Sequence, residues 1–309
     1  MPPAHLSSRI GGRDADYKTI GAGHASALRS ALPSGWDWTG KRVLDFGCGT
    51  GRTMVQFADE AQHAELWGCD IDEPSITWAK ENLSPPFNFL ANADLPPIDL
   101  PDGTFDLAYG FSVFTHLLET WTAWLLEMHR LLRVGGYGVF SFLGEGMFRE
   151  LTGREWDESR VGMIQLDAGR PWSVGGPNAL HSEWWLRAHW GRLFEVVHVV
   201  PCLDMVNRRS HGVVVVRKDG EGAPTTGELL ALEPDERREV ASLELNVELL
   251  KERSALLWSA EAGATRLEND SLRAELERLR AELERLRQSR SWRLTRPLRR
   301  LRARGARTD

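Results

Sequence analysis

The run Val43-Leu-Asp-Phe-Gly-Cys-Gly-Thr-Gly-Arg-Thr53 constrains this chain more than any other stretch of it. Arg42–Phe46 reads as a short apolar strand, and a helix is expected over Thr53–Ala61. Gly47, Gly49 and Gly51 therefore fall in a strand-to-helix turn, the context in which a glycine-rich loop carries meaning. Glycine turns tightly without strain and lets a ligand come close to the backbone. At the carboxyl end of a first strand, such a loop faces the crevice where open α/β sheets bind ligands.

Two kinds of nucleotide compete for this loop. A dinucleotide fold wants Gly-x-Gly-x-x-Gly, but counting from Gly47 and Gly49 puts Arg52 where the third glycine belongs. A diphosphate also prefers free amides without a nearby anion. Asp45, two residues before the first glycine, repels phosphate and suits a cationic amino-acid ligand such as a sulfonium methionine. Asp70 closes Leu66-Trp-Gly-Cys-Asp70, 19 residues beyond Gly51, where a carboxylate can accept from both ribose hydroxyls. Asp94 follows the third strand; it either accepts from an adenine amino group or forms a turn. Ile71 is placed to pack on the adenine face, and Cys48 to pack beside the cofactor.

Apolar runs and helical patterns alternate over residues 41–218, the rhythm of a parallel sheet. Strands are predicted at Arg42–Phe46, Glu65–Asp70, Phe87–Ala91, Phe105–Phe111, Tyr137–Leu143, Phe194–Cys202 and His211–Arg217, seven in all. Further helices are predicted at Ala22–Leu32, Glu73–Asn82, Glu119–Leu132 and His181–Trp190. The last two strands lack an intervening helix and should close one edge as an antiparallel hairpin. Around this domain lie a leader with a helix (1–40), a linker (219–235), a coiled coil (236–290) and a basic tail (291–309).

At these residues the sequence resembles the class I S-adenosylmethionine-dependent methyltransferases. Asp45-Phe-Gly-Cys-Gly-Thr-Gly51 looks like the cofactor loop, Asp70 like the ribose acid and Asp94 like the adenine contact. Asp102-Gly-Thr-Phe-Asp106 and Leu131-Leu-Arg-Val-Gly-Gly136 look like the runs into the fourth and fifth strands. The resemblance covers about residues 41–218. It implies S-adenosyl-L-methionine as cofactor. It also implies a Rossmann-like, seven-stranded, mostly parallel sheet with helices on both faces, its last two strands out of order.

The acceptor is less legible. No Asn/Asp-Pro-Pro-Tyr sequence follows the fourth strand, which weighs against exocyclic base amines and glutamine amides. His116 is the candidate general base, since imidazole titrates near ~6.5; its alternative is a structural histidine. Glu145, His181 and Glu183 are second-line candidates. The stretch Gly144–Asn178 reads as a lid or acceptor wall, with Trp156 and Trp172 either stacking on a sugar or packing on the sheet edge. Trp184, Trp185 and Trp190 are expected in the core. No cluster has metal-ligand spacing.

Net charge is −6, which gives the whole molecule no nucleic-acid footprint. The three cysteines, Cys48, Cys69 and Cys202, are too scattered for a disulfide framework. With no signal-like start and no run of ~20 apolar residues, a cytoplasmic protein is expected. Leu272, Leu276, Leu279, Leu283 and Leu286 form a heptad seam, with Asn269 at an a position. Glu275 with Arg280, and Glu282 with Arg287, favour a parallel homodimer; a helix folded back on the domain is the alternative. Val240, Leu243, Val247, Leu250 and Leu257 hold a second seam out of phase with the first, and a break is expected near Gly263. After the coil, arginines interleave with Trp292, Leu294, Leu298 and Leu301, a pattern suited to the anionic inner membrane face, to RNA or to a solvated tail. The coil followed by Ser-Arg-Ser-Trp-Arg-Leu-Thr-Arg-Pro-Leu resembles tails on bacterial enzymes of cell-surface polysaccharide assembly. The expected reaction is therefore O-methylation of a sugar or glycan intermediate. The alternatives are a small metabolite or protein side chain as acceptor, or an inactive coiled-coil scaffold.

Overall fold

A computed structural model of the chain describes residues 1–7, 14–171, 175–203, 211–233, 236–260 and 266–288. Its strands are β1 (Arg42–Phe46), β2 (Glu65–Asp70), β3 (Asn88–Ala91), β4 (Phe105–Gly110), β5 (Leu132–Leu143), β6 (Met163–Leu166), β7 (Asn178–His181), β8 (Glu195–Leu203) and β9 (His211–Arg217). Strands β3-β2-β1-β4-β5 run parallel in that order. Strand β9 pairs antiparallel with β5, from Tyr137 opposite Arg217 to Leu143 opposite His211, and β8 pairs antiparallel with β9. The expected seven strands and closing hairpin are thus present. Two more, β6 and β7, form a second hairpin attached to β5 by the single bridge Leu143–Leu180.

Side chains alternate across this sheet, as a two-residue period requires. Leu44, Phe46, Ala108, Phe140, Val214 and Val216 enter the core that also holds Trp121, Trp124, Trp185 and Trp190. Val43, Leu107, Tyr109, Val139, Val213 and Val215 enter the opposite core with Leu28, Met54, Phe57 and Ile76. Helices α2 (Asp14–Ala31) and α3 (Glu73–Leu83) cover this second face; α4 (Trp121–Leu131) and α6 (Glu183–His189) cover the first. Each large apolar side chain so buried contributes about 1.5–3 kcal/mol. Trp184, Trp185 and Trp190 are buried, as their helical spacing predicts.

Two expectations need correction. The segment Thr53–Ala61 is not an α-helix but two 3₁₀ turns, Met54–Phe57 and Glu60–Gln62. Few residues separate the glycine loop from β2, and a three-residue period aligns Met54 with Phe57 so that both are buried. The stretch Gly144–Asn178 is not a plain loop: among its described residues it carries α5 (Glu145–Thr152) and β6. Trp156 packs edge-on against Phe148 and donates to Glu158, which leaves it in a core contact. Trp172 lies outside the described residues.

The carboxyl-terminal third departs most from the expected coil. After α7 (Thr226–Leu230) come α8 (Arg237–Ala260) and α9 (Arg266–Gln288). Helix α8 covers the β6 edge with polar side chains in place of a further strand. Ser242 Oγ accepts from the Gly162 N–H at 3.0 Å, Asn246 Oδ1 accepts from the Gln165 N–H at 2.8 Å, and Asn246 Nδ2 donates to the Met163 carbonyl at 2.8 Å. Satisfying an edge in this way removes a template for aggregation. Buried His189 fixes the start of α8: its Nδ1 meets the Leu229 carbonyl and its Nε2 the Glu239 carboxylate.

Leu272, Leu276, Leu279 and Leu283 of α9 pack on Leu243, Val247 and Leu250 of α8. Five residues join the two helices, a reach of at most ~18 Å, whereas a 23-residue helix is ~35 Å long. They therefore run antiparallel, and the seam expected to face a second chain faces α8 of the same chain. Within one chain this is the folded-back alternative to the parallel homodimer. Glu275 pairs with Arg278 of its own helix. The side chains of Asn269, Leu257 and Arg287, Gly263 and the basic tail 291–309 lie outside the described residues.

Candidate active site

The glycine loop takes the shape its residues were chosen for. Gly47, Gly49 and Gly51 have φ of 78°, 53° and 75°, the left-handed region where a Cβ costs energy. At Gly47 an added Cβ would stand 2.3 Å from Val113 Cγ2, so glycine is also required by close packing against the segment after β4.

The loop amides are spent internally. The Gly47 and Cys48 N–H groups donate to the Cys69 carbonyl at 2.8 and 3.0 Å, and the Gly51 N–H donates to the Cys48 carbonyl at 2.9 Å. The Gly49 N–H donates to Asp70 Oδ2 at 2.7 Å. A diphosphate cradle needs such amides pointing at the ligand, and here four of them already have partners. Cys48 is buried against Gly68 as a packing residue, and burial holds its thiol well above its ordinary pKa.

Asp45 stands opposite Tyr109 in the β1–β4 register and is only 4% exposed. Its carboxyl faces the buried Tyr109 hydroxyl, an interaction that favours the ionised acid, and its Oδ2 makes no closer hydrogen bond. Burial raises the Asp45 pKa to about 8, assisted by the Asp70 charge. A buried carboxylate with so few partners is costly unless a cation meets it. Half-buried Arg52 lies close enough to Asp45 and Tyr17 to feel both charges.

Asp70 lies at the end of β2 and ties two loops together: Oδ2 takes the Gly49 amide, and Oδ1 takes the Asp72 amide at 2.8 Å. Its carbonyl accepts from the Asn92 N–H at 3.1 Å, which brings the segment after β3 alongside. Burial raises its pKa. Ile71 is 47% exposed, an apolar side chain presented to solvent at this corner. The Asp94 side chain is exposed, while its carbonyl accepts from Trp124 Nε1 at 3.3 Å. Arg130 and Glu127 of α4 clamp the rest of that segment: Glu127 Oε1 accepts from the Ile98 N–H, and Arg130 donates to the Ile98 and Leu100 carbonyls. Asp45, Asp70, Ile71 and Asp94 thus follow three adjacent strand ends, as the sequence predicts.

Sequence reasoning missed the contribution of α2. The Tyr17 hydroxyl bonds the Thr50 hydroxyl at 2.9 Å, and His24 Nδ1 meets Thr53 Oγ1 at 3.1 Å. His24 stacks on Phe111 with ring centroids 4.5 Å apart, and burial lowers its pKa to about 3. Ser112, at φ 60°, faces His211 Nε2 across 3.4 Å. These residues come from α2, β4 and β9; no local motif unites them, because only the sheet order makes them neighbours.

His116 lies one turn after Val113, whose carbonyl accepts its N–H at 2.9 Å. Its Nδ1 donates to the Pro177 carbonyl at 2.6 Å, which puts the neutral ring's lone pair on Nε2. Burial lowers its pKa, so the ring is neutral at neutral pH. It lines a cavity of about 410 Å³ with Glu119, Gln165 and Arg278. None of the second-line candidates joins it there. Glu145 is exposed at the start of α5, Glu183 pairs with Arg187, and His181 is in the core. Among the described residues no group of three or more His, Cys, Asp or Glu side chains could hold a metal ion.

The chain is similar to known proteins over part of its length. Over 111 residues the chain is 34% identical to malonyl-(acyl-carrier protein) O-methyltransferase of Geobacter sulfurreducens, covering 36% of this chain and 41% of that protein. Over 105 residues it is 29% identical to fatty-acid O-methyltransferase of Mycolicibacterium smegmatis, covering 34% and 38%. The chain thus spans about two fifths of the length of these curated relatives. A solved S-adenosylmethionine-dependent methyltransferase from Mesorhizobium loti is 22% identical, covering 65% of this chain and all of that one, with a TM-score of 0.46. The 1,6-didemethyltoxoflavin-N1-methyltransferase of Burkholderia thailandensis, solved with S-adenosylhomocysteine, is 19% identical, covering 71% and 92%, with a TM-score of 0.47. Residues 43–136, which include the glycine loop, Asp70 and Asp94, match the family described as a methyltransferase domain.

Proposed function

We propose that this chain is an S-adenosylmethionine-dependent O-methyltransferase acting on a hydroxyl of a sugar or glycan intermediate. The observation that carries the cofactor reading is the buried Asp45 carboxyl, faced by Tyr109 alone, beside a loop whose amides are already bonded. That environment fits a cationic amino-acid ligand and opposes a diphosphate. S-adenosylmethionine supplies a methyl group on a sulfonium, which is already a good leaving group, so the protein's task is chiefly positioning.

In this reading Asp45 meets the α-ammonium, and Arg52, half-buried near it, supplies the opposite charge for the α-carboxylate. Each Asp70 oxygen accepts one amide and keeps a lone pair for a ribose hydroxyl. Exposed Ile71 covers the adenine face, and Asp94 receives its amino group. His116, its tautomer fixed by Pro177, takes the acceptor's proton at Nε2. The cavity supports a compact polar acceptor over an acyl chain: its 410 Å³ lies at the low end of the ~300–1,000 Å³ of small-molecule sites. The family match covers residues 43–136 and so does not include Gln165, Pro177 and Arg278. Contact of the basic tail with an anionic inner membrane face, and pairing of two copies of the chain, belong to the same proposal; vesicle flotation and sizing chromatography test them.

Calorimetry with S-adenosylmethionine and with a nicotinamide dinucleotide tests the cofactor. Binding of the first alone, lost in Asp70→Ala, is expected; binding of the dinucleotide refutes the reading, and no binding of either points to the scaffold alternative. His116→Ala should lower kcat by about 10²–10⁴ with cofactor affinity intact; an unchanged kcat removes it as the base.

A further inference from the structure

The cavity beside His116 is not closed by the methyltransferase domain alone. One wall holds His116, Glu119 and Gln165; the other is helix α9, through Ala274, Glu275 and Arg278. The two walls are joined by specific bonds. Arg278 Nη2 donates to Gln165 Oε1 at 3.0 Å, and Arg278 reaches Glu275 at 2.5 and 2.8 Å and Glu119 at 3.8 Å. Glu275 is only 6% exposed, rare for a carboxylate on what sequence alone would make a solvated coil. Gln165 is held from both sides: its backbone N–H by Asn246 of α8 and its side chain by Arg278 of α9.

We propose that α9 completes the acceptor pocket, and that Arg278 and Glu275 select a small uncharged acceptor rich in hydroxyls, of about monosaccharide size. This rests on the methyltransferase reading above and names the substrate class of that site. The charge balance carries it. One guanidinium faces two carboxylates, Glu119 and Glu275, so this wall is net negative and repels an acceptor carboxylate. Hydroxyls both donate to carboxylates and accept from guanidinium, and so match every polar group present. The Arg278–Glu275 fork is also set before any ligand arrives, which spares it the ordering cost of binding. In the chain, α9 lies about 150 residues beyond His116, yet the α8–α9 hairpin returns it to the same cavity. The leucine seam of α9 thus serves to hold a substrate wall in place.

The test uses the full chain and the variants Arg278→Ala, Glu275→Gln and Leu272→Ala/Leu279→Ala. Methyl transfer is followed as S-adenosylhomocysteine release. The probes are a panel of neutral methyl glycosides and, as the opposing class, octanoate. Wild type should turn over a glycoside. Arg278→Ala and Glu275→Gln should each raise its KM tenfold or more while the S-adenosylmethionine Kd stays within twofold. Turnover of octanoate alone overturns the substrate class. A KM unmoved by both substitutions, for whichever probe reacts, overturns the role of α9. Amide hydrogen exchange needs no acceptor: undocking α9 with the double leucine variant should speed exchange at residues 116–119 and 165–169 tenfold or more, and unchanged exchange there overturns the composite pocket. Failure of S-adenosylmethionine to bind at all, with exchange responding as expected, would instead count against the cofactor reading and leave the architecture of the cavity standing.

Discussion

Gly47→Ala puts the loop's geometry to a quantitative test. Two independent costs follow from the structure. At φ 78° an L-residue sits in left-handed space, which costs roughly 1–2 kcal/mol. The new methyl would also stand 2.3 Å from Val113 Cγ2, more than an ångström inside ordinary contact, so the β4 extension must move. Overpacking of this kind costs about 1–3 kcal/mol. The sum, ~2–5 kcal/mol, is a large part of a typical domain's 5–15 kcal/mol. Only the second cost depends on Val113. Val113→Ala alone, at a half-buried site, should cost about 1 kcal/mol. In Gly47→Ala/Val113→Ala the clash is gone and the backbone strain remains, so the two substitutions should be non-additive by ~1–3 kcal/mol. Urea unfolding of the four proteins measures the coupling, and calorimetry follows the S-adenosylmethionine Kd alongside. Strict additivity would show that the glycine loop and the β4 extension do not touch, and the packing argument for Gly47 would fall.

Other consequences can be measured directly. Because the folded Asp45 pKa is about 8 against an ordinary 3.8, the folded state holds a proton between those values that the unfolded chain releases. Stability contributed by this group therefore falls as pH rises from ~4 to ~8. Binding of a cation has the opposite sense: S-adenosylmethionine affinity should climb by up to ~tenfold per unit as pH rises towards 8, with proton release visible as buffer-dependent binding enthalpy. Asp45→Asn should flatten that slope, and a flat wild-type profile would show that no carboxylate meets the ligand. Asn246→Ala strands the Gln165 N–H and the Met163 carbonyl, at about 1–3 kcal/mol for each buried group left unpaired. A Tm fall of ~5–10 °C is expected, against little change for Glu252→Ala on the exposed side of the same helix; equal effects would mean that α8 is not docked on the β6 edge.

The nucleotide half of this protein is written locally. The loop from Asp45 to Gly51, Asp70 at the end of β2 and Asp94 after β3 each sit at a strand terminus that the hydrophobic rhythm marks. A parallel sheet then brings adjacent strand ends together without further instruction, because register fixes them. Strand β9 was legible for the same reason: an uninterrupted valine run buries both faces.

The remaining contacts were decided only in three dimensions. His24, Ser112 and His211 come from distant segments and meet because β4, β5 and β9 are neighbours and α2 packs over them. The heptads of residues 272–286 are equally consistent with a second chain and with a partner helix in the same chain, since a leucine seam records only that something apolar covers it. Within one chain, the β6 edge bears on the choice. Its backbone groups need partners, Ser242 and Asn246 supply them, and once α8 is held there the nearest apolar surface for α9 is α8 itself. A seam that reads as a dimer interface in one dimension packs on a helix of the same chain in three.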